Sequence, residues 1–256
     1  MRTGAILGGV AAAGTVGAAV ATSVVWRTSP GVRRVNDSIA TLTQYWKGVI
    51  GSNLRSSESI HLVTLGDSAS QGVGGTTAGT GWVPLVGVRL AEAFGRKVEI
   101  WNLSVSGAIA QDVLEEQVPQ LLELPVEPDL VTVQVGGNDA TQAHRVRVAS
   151  YLDAMDSIMG ELPAGSFISD PPWFPLVPMF SARSRRMAEE VRPLIAERGH
   201  HLLPMFDTTR RAGLRYFGYT APDLFHPNDK AYVAFSELTL QAISDAGWTP
   251  RAPAEG

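Results

Sequence analysis

Two periods of hydrophobic and polar alternation divide the chain. Residues 31–51 carry the longer one: Val32, Val35, Ile39, Leu42, Trp46 and Val49 recur at steps of three and four, on one face of a helix. That stripe suits a helix laid on the body of the protein, or one facing a membrane surface or a partner. Residues 53–59 follow as a polar, serine-rich linker. Beyond them, short apolar runs of strand length alternate with helical patterns. Strands are expected at 60–65, 98–103, 130–135, 166–169 and 201–205, the third nearly all apolar and therefore expected in the centre. Helices are expected at 82–94, 110–122 (kinked at Pro119), 146–159, 181–198 and 228–246. This β-α order calls for an α/β fold: a parallel sheet of about five strands with helices on both faces. Ligands of such sheets bind outside the carboxyl ends of the strands, so the loops there are the ones to read for chemistry.

Composition narrows the chemistry. At 256 residues, 45% hydrophobic and 18% charged, the chain can bury a substantial core and is not a disordered segment. A net charge of −4, with no Lys/Arg run longer than two, argues against nucleic acid as a partner. The absence of cysteine excludes a disulfide scaffold, a thiolate zinc site, an iron–sulfur cluster and a cysteine nucleophile. Nucleophilic catalysis is then left to hydroxyls, carboxylates or lysine.

The first residues read separately. Residues 5–25 carry no formal charge and lie between Arg2 and Arg27. They fit a signal peptide cut near Ala19-Val20-Ala21, or a membrane anchor through which the protein associates with a bilayer. A first strand with a Gly-rich turn is the third reading. The expected organisation is 1–30 as signal peptide or anchor, 31–58 as amphipathic helix and linker, and 59–250 as the catalytic domain. An exported or envelope-anchored protein is expected over a cytoplasmic one, although the positive-inside rule would leave the body of an uncleaved anchor in the cytoplasm.

Four loops at the expected sheet edge carry candidate chemistry. They are Gly66-Asp67-Ser68 after the first strand, Asn102-Leu103-Ser104-Val105-Ser106-Gly107 after the second, Gly136-Gly137-Asn138-Asp139 after the third, and Asp223-Leu224-Phe225-His226 before the last helix. Each alone reads as a polar turn. Together they supply what acyl transfer needs. Ser68 offers a hydroxyl, His226 a base for its proton, and Asp223 an acceptor for the second imidazole nitrogen. The Ser68 and Gly107 N–H groups and the Asn138 amide are candidate donors to an oxyanion.

These blocks, with Asn-x-Ser-x-Ser-Gly, Gly-Gly-Asn-Asp and Asp-x-x-His-Pro-Asn around them, resemble the SGNH hydrolases, also called GDSL esterases/lipases. The likeness is strongest to their arylesterase and thioesterase/lysophospholipase branch and spans about 59–246. It implies a flavodoxin-like three-layer α/β/α sandwich without metal or organic cofactor. By position it implies Ser68 as nucleophile, His226 as base, Asp223 as its orienter, and Ser68, Gly107 and Asn138 as the oxyanion hole. Ala69 departs from the leucine that often follows the serine.

Rival readings have less support. The Gly-x-Ser-x-Gly elbow of α/β-hydrolases is absent, as is a P-loop ending. Residues 72–75 read as a flap over the site or a flexible turn. His200 and His201 lack helix-spaced metal partners. Asp67, Asn102, Asp139 and Ser70 read as loop braces. Residues 170–180 hold four prolines among large apolar side chains, so Trp173, Phe174 and Phe180 are expected either to wall an acyl pocket or to collapse on the helix layer. Tyr216, Phe217 and Tyr219 are a second candidate wall. The expected activity is hydrolysis of an ester or thioester with an apolar acyl group, the substrate being a small-molecule or lipid ester. The alternatives are acyl transfer, removal of acetyl groups from envelope polysaccharide, and a tethered binding module without turnover.

Overall fold

The computed structural model describes residues 29–253, so the expected signal peptide or anchor lies largely outside the described residues. Strands β1 (Ile60–Gly66), β2 (Val98–Asn102), β3 (Leu130–Gln134), β4 (Phe167–Ser169) and β5 (His201–Leu203) form one parallel sheet in the order β2-β1-β3-β4-β5. Every residue of β1 and β3 is buried, as central strands covered on both faces require. The chain leaves β1 in one direction to form β2, then crosses back to form β3. The β1/β3 junction is therefore the switch point at which such sheets open a crevice.

The helices, in chain order, are α1 (Pro30–Ser52), α2 (Ser68–Gln71), α3 (Trp82–Phe94), α4 (Ala110–Asp112), α5 (Val118–Leu122), α6 (Gly137–Thr141), α7 (Val148–Glu161), α8 (Pro178–Glu197), α9 (Met205–Ala212) and α10 (Asp229–Asp245). On one face of the sheet, Val63, Leu65, Val131 and Val133 pack against Tyr151, Met155 and Ile158 of α7 and Met187 and Val191 of α8. On the other, Leu62, Leu130 and Phe167 pack against Trp82 and Val86 of α3 and Tyr232 and Phe235 of α10. The result is a three-layer α/β/α sandwich.

Helix α1 packs its stripe in two places: Trp46 joins this second cluster, while Val35 and Leu42 pack with Val73 and Ala221. Val32, Val35, Leu42 and Trp46 are buried, and the Trp46 indole N–H donates to the Gln71 carbonyl at 3.0 Å. The linker is fastened too: Asn53 donates to the Ile100 carbonyl, and the Leu54 and Arg55 N–H groups donate to the Glu99 carboxylate. Among the described residues no helix is long and apolar enough to cross a membrane.

Among the departures from the expected elements, three have a local cause. Strand β5 ends before Pro204, and Met205 opens α9 instead of extending the strand. Helix α8 starts at Pro178, where a proline is preorganised for the first turn and loses no needed N–H. Between α4 and α5 lies a π turn (Val113–Gln117) just before Pro119, whose missing N–H breaks the regular ladder.

Removing the Trp46 side chain deletes a buried aromatic and its hydrogen bond. Trp46→Ala is expected to lower unfolding free energy by about 3–5 kcal/mol in urea titration. A loss below about 1 kcal/mol would mean that α1 rests on the body without stabilising it.

Candidate active site

At the end of β1, Gly66 adopts φ +145°, and Asp67 caps α2 by accepting from the Ala69 N–H at 2.9 Å. Ser68 is thus the first residue of α2, with its N–H outside the helical ladder. Its Oγ lies 3.0 Å from His226 Nε2, placed to donate to it. On the far side of the ring, His226 Nδ1–H donates to Asp223 Oδ2 at 2.5 Å. The same aspartate orders the turn, since its Oδ1 accepts from the Phe225 and His226 N–H groups at 3.1 and 3.0 Å. Leu224 between them has φ +56°, a strained value for a branched residue, and its carbonyl accepts from the Tyr216 hydroxyl at 3.0 Å.

The second and third loops meet next to this line. Asn138 donates one amide N–H to the Ala108 carbonyl at 3.0 Å, which leaves a second amide N–H and ties its loop to that of Gly107. Gly107 has φ +88°, a left-handed conformation that glycine adopts without cost. Among the described residues, neither the Ser68 nor the Gly107 N–H has an acceptor.

Asn102 and Asp139 hold backbone as expected of loop braces, and two further braces, Gln117 and Gln71, were not evident in the sequence. Gln117, in the π turn, binds the Gly66 peptide from both sides, accepting its N–H at 2.8 Å and donating to its carbonyl at 2.9 Å. Gln71 donates to the Ser104 carbonyl and accepts from the Ser106 hydroxyl. Asn102 donates to the Ser70 carbonyl, and Asp139 accepts from the Ala110 N–H. Ser70 braces only through that carbonyl; its buried hydroxyl has no partner among the described residues. Residues 72–75 form no flap over the cleft. Tyr232 holds the Val73 carbonyl, Asp229 takes both the N–H and the hydroxyl of Thr76, and no residue of the segment lines the cleft.

Beside Ser68 and His226 opens a cleft of about 340 Å³. Trp173, Phe174, Tyr216, Tyr219 and Phe225 wall it, and Ala231, Ala234 and Phe235 of α10 lie along it. Phe174 stacks on Phe225, whose ring meets His226 edge-on. Asp170, fully buried and bound by the Phe206 N–H and Arg192, fixes the start of the loop that carries Trp173. Phe180 was expected on this wall. It sits in the first turn of α8 and packs on the core instead, because Pro178 has already begun the helix. Phe217 is exposed outside the cleft, and neither Gly107 nor the buried Asn138 belongs to its lining. Among the described residues no three His, Cys, Asp or Glu side chains gather as a metal site requires.

Burial acts on three carboxylates here, with different outcomes. It pushes Asp67 up to about 6 against the opposing pull of the Ala69 N–H and the His226 charge. It pushes Asp139 up to about 7, with nearby Asp67 and Asp112 adding to the effect and the Ala110 N–H opposing it. Burial would raise Asp223 as well, but the hydrogen bond and charge of His226 outweigh it and hold that carboxyl below its ordinary value.

A three-layer sandwich with a serine, a histidine and an aspartate aligned at its switch point defines a serine-hydrolase type of architecture. Residues 64–234 match the model of the GDSL-like lipase/acylhydrolase family, and the chain belongs to that family. It is 24% identical over 204 residues to the GDSL-like esterase Rv1075c of Mycobacterium tuberculosis, covering 73% of this chain and 62% of that relative's length. Among solved structures, TesA is 25% identical with a TM-score of 0.60, over 73% of this chain and 99% of its own. Axe2, an acetylxylan esterase from Geobacillus stearothermophilus, shares the fold at 19% identity and a TM-score of 0.55, over 73% and 94%.

The raised Asp139 carboxyl makes stability depend on pH. Unfolded, it titrates near its ordinary 3.8; folded, near 7. Between those values the folded state holds the extra proton, so stability falls as pH rises. Asp139→Asn keeps an acceptor for the Ala110 N–H but cannot ionise. Its urea midpoint is expected to drop less than that of the parent between pH 5 and pH 8. An equal drop in both proteins would show that Asp139 is not the group responsible.

Proposed function

We propose that this chain is a serine hydrolase that cleaves carboxylic esters or thioesters with an apolar acyl group, through an acyl-enzyme. The observation that carries this reading is the continuous hydrogen-bonded line from Ser68 through His226 to Asp223, opening on an apolar cleft. His226 Nε2 takes the Ser68 proton as Oγ attacks the substrate carbonyl carbon. Asp223, held as the anion by its hydrogen bonds, fixes the ring through Nδ1–H and stabilises the imidazolium. The oxyanion is received by the Ser68 and Gly107 N–H groups and the remaining N–H of the Asn138 amide. Collapse of the intermediate expels the alcohol or thiol, which leaves with the proton from His226. Water then repeats the sequence on the acylated serine, with His226 again as base, and releases the acid.

The test is turnover of p-nitrophenyl esters from acetyl to palmitoyl. Ser68→Ala and His226→Ala should each remove nearly all activity, and their losses should not add, since the pair acts as a unit. Asn138→Ala should lower kcat on the order of 100-fold, and a loss below tenfold would remove Asn138 from the oxyanion hole. Serine-independent turnover would overturn the reading.

The aromatic wall is expected to set chain length. Trp173 is held by its backbone N–H on Thr209 and its indole N–H on Ser181. Trp173→Ala should lower kcat/KM for long acyl chains about tenfold more than for acetate, as expected for a few lost methylene contacts. An equal loss at every length would show that the acyl chain does not reach this wall.

A further inference from the structure

The inner side of the cleft departs from its apolar lining. Gln134 ends β3 and lines the cleft together with Ala231, Ala234 and Phe235 of α10. Its side chain points to the α10 face of the sheet, since its neighbours Val133 and Val135 pack in the opposite layer. It is only 6% exposed, and among the described residues its Oε1 has no hydrogen-bond partner. On the adjacent strand the pairing of Val133 with Ile168 sets Ser169 level with Gln134 and on the same face. The Ser169 Oγ is likewise buried and without a partner.

Leaving such groups unsatisfied costs stability that leucine and alanine at these positions would not. The other buried amides around the site each hold loop backbone: Gln71, Asn102, Gln117 and Asn138. Gln134 holds none. Its amide is therefore available to a ligand in the cleft.

We propose that Gln134, backed by Ser169, is a specificity-determining residue that reads a hydroxyl on the acyl part of the substrate. A hydroxyl both donates and accepts, so it can satisfy Oε1 and accept from the amide N–H, with Ser169 behind the amide on the same face. A carboxylate could not donate to Oε1. The β1/β3 register pairs Gln134 with Gly66, two residues before Ser68, which sets the hydroxyl within a few carbons of the ester carbonyl. This inference rests on the ester-hydrolase reading and names the acyl class for that site.

The test compares p-nitrophenyl butanoate with p-nitrophenyl 3-hydroxybutanoate, using the full chain and Ser68→Ala as the blank. The ratio of kcat/KM, hydroxylated over plain, should exceed about ten in the parent and fall toward one or below in Gln134→Leu. Ser169→Ala should move it in the same direction by less, and carries the comparison if Gln134→Leu does not fold. A ratio near one in the parent, or one unchanged in both variants, overturns the assignment of Gln134 while leaving the hydrolase reading intact. Failure of the parent to turn over either ester above the blank overturns both.

Discussion

The approach of β1 to β3 at Gly66 is the constraint on which the site depends. A Cβ at this position would lie 2.1 Å from the Gln134 carbonyl oxygen, so no other residue allows the two strands to close here. The Gly66 carbonyl accepts from the Val105 N–H of the second loop and from Gln117, which also receives the Gly66 N–H. One residue later the Asp67 N–H donates to the Gln134 carbonyl, and the chain turns into α2 with Ser68 at its head. The heights of the first three loops are thus referred to a single stretch of backbone. With the Gly66 peptide groups and the Asp67 N–H paired, the position of the Ser68 oxygen follows from the sheet, not from a mobile turn.

The histidine arrives from 158 residues further on, and a second close approach brings it in. Gly74 has φ +96°, and a Cβ on it would stand 2.3 Å from the Pro227 carbonyl oxygen. The segment after α2 therefore lies directly on the His226 loop, where Asp229 and Tyr232 of α10 hold it. Two glycine contacts, at 66 and at 74, fix the serine and the histidine relative to each other through the body of the protein. The Ser68–His226 hydrogen bond closes a geometry that packing has already imposed, and the strained Leu224 turn is kept by Tyr216 and Asp223 around it.

Much of this was legible in the sequence, for reasons that differ by residue. The strands and long helices announce themselves by period, because a buried face must repeat every two or about 3.6 residues. Ser68, Asp223 and His226 were visible as residue types that acyl chemistry uses, in loops that a parallel sheet gathers at one edge. Gln71 and Gln117 were not, because a glutamine in a polar loop or in a helical pattern reads as a solvated position. Nothing local says that its amide meets backbone 33 or 51 residues away. Phe180 was misplaced for a local reason: in a run of four prolines, the one that starts a helix looks like the ones that prevent it. Gln134 did leave a signal, as the lone amide in an otherwise apolar run at the end of a central strand.

The electrostatics show how the same architecture treats its carboxylates. Asp67, Asp139 and Asp223 all sit in the interior at the loop edge, and all accept backbone N–H groups. Only Asp223 is also hydrogen-bonded to the His226 ring, and only Asp223 is held below its ordinary value. Backbone donors, joined at Asp67 by the charge of His226, do not offset burial for the other two, whose ionisation therefore works against folding. Used as loop braces, these acids hold α2 and the Ala110 peptide in place at some expense to stability near neutral pH. That expense falls on the loops bearing Ser68 and Asn138, while Asp223 remains charged behind the imidazole. Stability and pre-positioned charge are thus assigned to different members of one set of buried acids, and the position of His226 decides which is which.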